Sequence, residues 1–134
     1  MKVEGGCHCG FITYEAEIDP EKVFLCHCTD CQSLSGTAFR SVVRMPEADF
    51  RLLSGRPKIY VKTTADSGAK REQSFCPECG SPIYATSVGQ GPRVLGLRVG
   101  SIRQRAQLPP KCQYFSRSAQ DWLDSVPELP RLDP

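Results

Sequence analysis

Eight cysteines in 134 residues, seven of them set in C-x-C and C-x-x-C spacings, constrain this chain more than any other feature. Cys7 and Cys9 sit in "GGCHCG", Cys26, Cys28 and Cys31 in "CHCTDC", Cys76 and Cys79 in "FCPECG", and Cys112 stands alone in "PPKCQYF". Disulfides are the first alternative to weigh. The opening "MKVEGGCHCG" has no apolar run of secretory length, so a cytoplasmic, reducing setting with free thiols is expected. Cysteines one residue apart on an extended chain also point the same way, and a bridge between them closes only a strained ring. Convergent thiolates suit a soft cation instead. Zinc takes sulfur at about 2.3 Å in tetrahedral geometry, and these short spacings let one turn supply two ligands.

The length fits one compact domain spanning residues 1–134, with one modest core. Its 17 basic and 15 acidic side chains leave a formal charge of +2 and form no block of one sign, so neither nucleic acid nor a membrane surface is an expected partner. No stretch approaches the roughly 20 apolar residues of a membrane-spanning helix. Short runs rich in β-branched and aromatic residues recur at 11–18, 37–45, 57–64, 71–76, 82–88 and 93–99, divided by Gly, Pro, Asp and Ser. That rhythm predicts an all-β fold. Two helical stretches are expected, one after Thr29 and one near 118–126. Thr29 with Gln32 fits a capping box, and Gly36 suits a left-handed helix end. The proline-punctuated tail 127–134 is expected to lie extended.

The cysteines divide into two sites. "SFCPECGSP" has the form of a zinc knuckle in which Cys76 and Cys79 flank a tight turn. A knuckle supplies two ligands, and Cys7 and Cys9 offer the other two, completing a closed four-cysteine site that stabilises the fold. Cys26, Cys28 and Cys31 supply only three ligands from one strand-to-helix turn. Three protein ligands leave a position open for water or substrate, the mark of catalytic rather than structural zinc. A helix beginning beside Cys31 favours the thiolate. His27 and His8 lie between paired cysteines and read as packing residues rather than ligands. Cys112 reads as a buried free cysteine on a strand; the other reading makes it the fourth ligand of the second site.

Five stretches carry a resemblance: "GGCHCGFITYE", "CHCTDCQSLSGTAF", "FCPECGSPIY", "LRVGSI" and "CQYFSRSAQDW". They resemble the glutathione-dependent formaldehyde-activating enzyme family, whose domain is shared with centromere protein V. The resemblance implies a β-tent, an all-β fold of stacked sheets around zinc. It also implies structural zinc on Cys7, Cys9, Cys76 and Cys79, and a second zinc on Cys26, Cys28 and Cys31. The activity it implies is that of a carbon–sulfur lyase, joining formaldehyde and glutathione as S-(hydroxymethyl)glutathione. Members often carry a histidine in the closing aromatic segment, where this chain has Gln113, and glutamine cannot act as a base.

A small thiol such as glutathione is thus the expected partner, and its carboxylates need cations. Arg40 and Arg44, four residues apart on the strand after the metal-binding turn, share a face and have the right sign. Phe39 and Gly36 are placed to shape the pocket. Two other classes stay open: a non-catalytic, zinc-stabilised interaction module, and a redox- or metal-responsive zinc thiolate.

Overall fold

Alternation along the strands decides which side chains meet the core. A computed structural model describes residues 1–134. Its strands are β1 (Lys2–Gly6), β2 (Thr13–Glu17), β3 (Val23–Cys26), β4 (Arg40–Pro46), β5 (Phe50–Ser54), β6 (Lys58–Lys62), β7 (Arg71–Phe75), β8 (Pro82–Ser87), β9 (Val94–Arg98) and β10 (Cys112–Tyr114), with a single α-helix, α1 (Thr29–Ser35). One sheet has the order β1-β2-β5, and the other β10-β3-β4-β9-β8-β7-β6. All pairings are antiparallel except β10 beside β3. The fold is all-β, as the strand rhythm predicts.

On β4, Val43 and Met45 point one way, while Arg40, Val42 and Arg44 point the other. Val43, Met45, Leu95 and Leu97 on the large sheet meet Val3, Ile12, Tyr14 and Ala16 of the small-sheet side in one buried cluster. Phe50 joins the layers, its ring 4.9 Å from Tyr14 and 5.4 Å from Tyr84. Each of the larger aliphatic side chains among them stabilises by about 1.5–3 kcal/mol on burial. With that face of the large sheet covered, the Arg40–Val42–Arg44 face is left to form a cavity floor.

Several local expectations are corrected. Strands β1 and β5 lie outside the predicted runs. The N-cap of α1 is Cys28, not Thr29: the Cys28 sulfur accepts the Cys31 amide at 3.3 Å. Gln32, expected to complete the capping box, instead donates to the carbonyls of His27 at 2.8 Å and Ser118 at 3.0 Å. Gly36 does end the helix, at φ 71°, a conformation that favours glycine. Near 118–126 the chain forms 3-10 turns, Ser116–Ser118 and Asp121–Glu128, rather than an α-helix. Cys112 is exposed rather than buried, because β10 is an edge strand with a neighbour on one side only. No helix is long and apolar enough to cross a membrane.

Candidate functional site

Two turns carry the first cysteine cluster. In the β7–β8 turn Cys76 accepts the Glu78 amide on its sulfur at 3.4 Å, and Gly80 turns the chain back at φ 80°. In the β1–β2 turn the Cys7 sulfur accepts the Ile12 amide at 3.2 Å. The sulfurs of Cys7, Cys9, Cys76 and Cys79 all lie within 4.8 Å of one another. Cys7 and Cys9 are 3.6 Å apart and Cys9 and Cys76 3.9 Å. A disulfide needs about 2.05 Å, whereas a tetrahedral set with metal–sulfur bonds of about 2.3 Å has sulfur edges near ~3.8 Å. The four cysteines therefore fit a single tetrahedral metal ion.

Electrostatics points the same way. The Ser81 hydroxyl, then its amide, bring Cys79 down to about 5. Cys9, although the Phe11 amide lowers it, is pushed up to about 12 by desolvation and by the neighbouring sulfurs. Some thiols ionise only at the expense of others, as crowded like charges must. A cation among them removes the conflict.

The second cluster, Cys26, Cys28 and Cys31, also has its sulfurs within 4.8 Å of one another. Cys26 ends β3, Cys28 caps α1, and Cys31 lies in the first turn of α1. The thiols divide again: the hydrogen bond from Cys31 holds Cys26 down, and the same contact pushes Cys31 up. Cys112 is not part of this cluster. Three sulfurs are what the chain provides, and they line a cavity of about 680 Å³.

The cavity is strongly cationic. Six basic side chains line it, Arg40, Arg44, Lys62, Arg71, Arg98 and Arg117, against two acids, Asp30 and Asp66. Both acids are already paired, Asp30 with Lys62 at 3.0 Å and Asp66 with Arg117 at 3.0 Å. Arg40, Arg44, Arg71 and Arg98 enter no ion pair. Small residues keep the floor between them low, since Gly96 is registered opposite Arg44 and Ala85 opposite Gly96. Burial, then the Arg40 charge, bring Arg98 down to about 9.

The predicted arginines differ in setting. Arg40 is buried, registered opposite Cys26, and donates to Gln73 Oε1 at 3.3 Å. Arg44 is exposed and stacks 4.8 Å from the ring centroids of both Phe24 and Tyr114. Phe39 lines a second cavity of about 610 Å³, shared with Arg40 and Arg98, and packs edge-on to His27 at 5.8 Å. His27 is buried, its Nε2 meets Gln113 Oε1 at 2.7 Å, and it belongs to neither sulfur cluster. Arg98, Arg71 and Gln73 were missed. Their signal was a polar residue at alternate positions of otherwise apolar or paired strands, on the same face as Gly96 and Ala85.

A family model described as glutathione-dependent formaldehyde-activating enzyme matches residues 2–118. No curated protein matches the sequence. A crystal structure of a Rhodobacter sphaeroides protein, determined as a structural-genomics target, is similar at a TM-score of 0.62 and 18% identity, covering 82% of this chain and 98% of that one. At that identity the likeness speaks for the fold alone.

Proposed function

The chain belongs to the glutathione-dependent formaldehyde-activating enzyme family, and on that premise we propose that it is a zinc-dependent carbon–sulfur lyase acting on a thiol adduct such as S-(hydroxymethyl)glutathione. One observation carries the reading: a three-cysteine cluster lines a cavity in which four of the five arginines, Arg40, Arg44, Arg71 and Arg98, have no carboxylate partner. In this reading Cys7, Cys9, Cys76 and Cys79 hold a structural zinc, and Cys26, Cys28 and Cys31 hold the second. Zinc bound there supplies a position at which a substrate thiol stays ionised near neutral pH.

The chain's own residues do the rest. The three sulfurs leave the side facing the cavity for the substrate sulfur. Arg40 and Arg44 lie roughly 13 Å apart along β4 at about 3.3 Å per residue, a separation suited to the two carboxylates of an extended tripeptide thiol. Guanidinium forks recognise such groups by paired hydrogen bonds. Phe39 shapes the adjoining cavity from the far side of Arg40. Asp30 holds Lys62 in the cavity wall, and Asp66 holds Arg117 at the exposed rim. In the cleavage direction the hydroxymethyl O–H gives its proton to solvent, the carbon–oxygen double bond forms, the carbon–sulfur bond breaks with its electron pair returning to sulfur, and formaldehyde leaves. His27 and Gln113 hold each other by hydrogen bonding and are assigned no part in proton transfer.

Metal analysis and formaldehyde exchange test this directly. The wild-type protein is expected to carry two zinc ions per chain and to speed exchange of labelled formaldehyde with glutathione, read by NMR. Cys31→Ser is expected to carry one zinc, stay folded and lose both glutathione binding and exchange. If Cys31→Ser loses one zinc but binds glutathione unchanged, the catalytic reading is wrong. A wild-type protein with two metals and no affinity for small thiols would instead make the domain an interaction module.

A further inference from the structure

Arg40 and Arg98 are 6% and 9% exposed, yet neither faces a carboxylate. A guanidinium carries five N–H donors. Arg40 donates from Nη1 to Gln73 Oε1 at 3.3 Å, and Arg98 from Nη2 to the same oxygen at 2.9 Å. Both Nε atoms are buried without a partner. Most of the donor capacity of two buried cations is therefore unspent.

Buried charges are retained where something pairs with them. The nearby cysteines account for part of this, since Cys26 is registered opposite Arg40 and the three sulfurs line the same cavity as both arginines. A metal dication on three thiolates would carry about one negative charge, against two guanidiniums, and would still leave one cation unbalanced. Strand geometry keeps the pair in place. Val42 is registered opposite Arg98, which sets Arg40 and Arg98 diagonally on one face. A Cβ added at Gly96 would lie 3.1 Å from Val42 Cγ1 and 3.5 Å from Arg98 Nη1, so the glycine leaves the Arg98 side chain its room. Gln73 accepts from both forks through one oxygen and aligns them.

We propose that Arg40 and Arg98, aligned by Gln73, form an oxyanion-binding subsite that selects thiols carrying a carboxylate within reach of the three-cysteine cluster. The subsite adds Arg98 and Gln73 to the functional residues and makes a free acid, not merely a thiol, the requirement for tight binding. It rests on the reading of the neighbouring cluster as a thiol site.

Calorimetric binding of four probes separates the two ideas: glutathione, glutathione diethyl ester, S-methylglutathione and its diethyl ester. In the wild-type protein each acid is expected to bind at least tenfold more tightly than its ester. Arg98→Met, with fold and zinc content checked, is expected to cut that preference several-fold, Arg44 still serving the other carboxylate, while leaving ester affinity unchanged. Arg40→Met should do the same, and Arg98→Lys should keep more of the preference. Should either Met variant fail to fold, Gln73→Leu replaces it and is expected to reduce the preference several-fold. Equal binding of acid and ester by the wild type overturns the subsite, as does a preference that survives undiminished in both arginine variants. S-Methylglutathione binding as tightly as glutathione would count against the thiol site alone. An acid preference still dependent on Arg98 in that case upholds the subsite.

Discussion

At the scale of single residues, Tyr14 shows how a buried polar group ties stability to pH. Its side chain is 1% exposed and its hydroxyl meets Ser101 Oγ at 2.7 Å. Ser101 Oγ donates in turn to the Arg98 carbonyl at 2.8 Å, so Tyr14 is the donor to Ser101. Burial, partly offset by that bond, pushes the phenol up to about 12. The unfolded chain releases this proton near ~10, so between that pH and about 12 the unfolded state binds fewer protons than the folded one. Stability is then unaffected below pH ~10 and falls as pH rises above it, by roughly 2–3 kcal/mol at the limit. Denaturation curves from pH 8 to 12 should show a steeper alkaline loss for wild type than for Tyr14→Phe; parallel curves would rule the effect out. Other residues were legible because of chemistry written into their spacing. Cys7, Cys9, Cys76 and Cys79 announce a shared site by sequence alone. Gln113 does not: in sequence it is a missing histidine, whereas in the fold it holds the ring of buried His27, a contact across 86 positions.

At the scale of elements, the connection between β6 and β7 matters most for access. Residues 63–70 contribute Thr64, Ala65, Asp66, Ser67 and Ala69 to the cavity wall. The inner latch joins this hairpin to α1, since Asp30 accepts Thr64 Oγ1 at 2.8 Å and pairs with Lys62. The outer latch is Asp66 with Arg117, two largely exposed side chains, and exposed pairs contribute about 0.2–1 kcal/mol. Asp66→Ala should therefore leave global stability almost unchanged while loosening the loop. Amide exchange of residues 63–70 is expected to accelerate, and glutathione to associate faster. Unchanged exchange across this segment would mean that Asp66 does not hold the loop. Turn residues in "TTADSGAK" mark a loop in sequence, but its crossing to α1 depends on side chains more than 30 positions away. Strands β1 and β5 were hidden for a related reason: "KVEGG" is too glycine-rich for a strand signal, and β5 is exposed at most positions.

At the scale of the whole molecule, alternating apolar runs disclosed an all-β chain, but not its division into three- and seven-stranded sheets. The deciding pairings, β2 with β5 and β3 with β10, join strands distant in sequence, and local patterns carry no register between such partners. The two cysteine clusters are placed to hold this architecture in unequal ways. Cys7 and Cys9 leave the small sheet at the β1–β2 turn, while Cys76 and Cys79 belong to the β7–β8 turn of the large sheet. A metal there would clamp two layers together. Cys26, Cys28 and Cys31 span one β3–α1 junction, so a metal there ties only a local turn. Structural zinc contributes on the order of 10 kcal/mol, comparable to the entire stability of about 5–15 kcal/mol expected for a domain. Cys79→Ser should therefore be largely unfolded at 25 °C, and Cys31→Ser should retain a cooperative unfolding transition. Circular dichroism with urea titration distinguishes them, alongside zinc content. Equal loss of structure in the two variants would show that the second cluster also holds the fold, and would remove the division between a clamp and a reactive site.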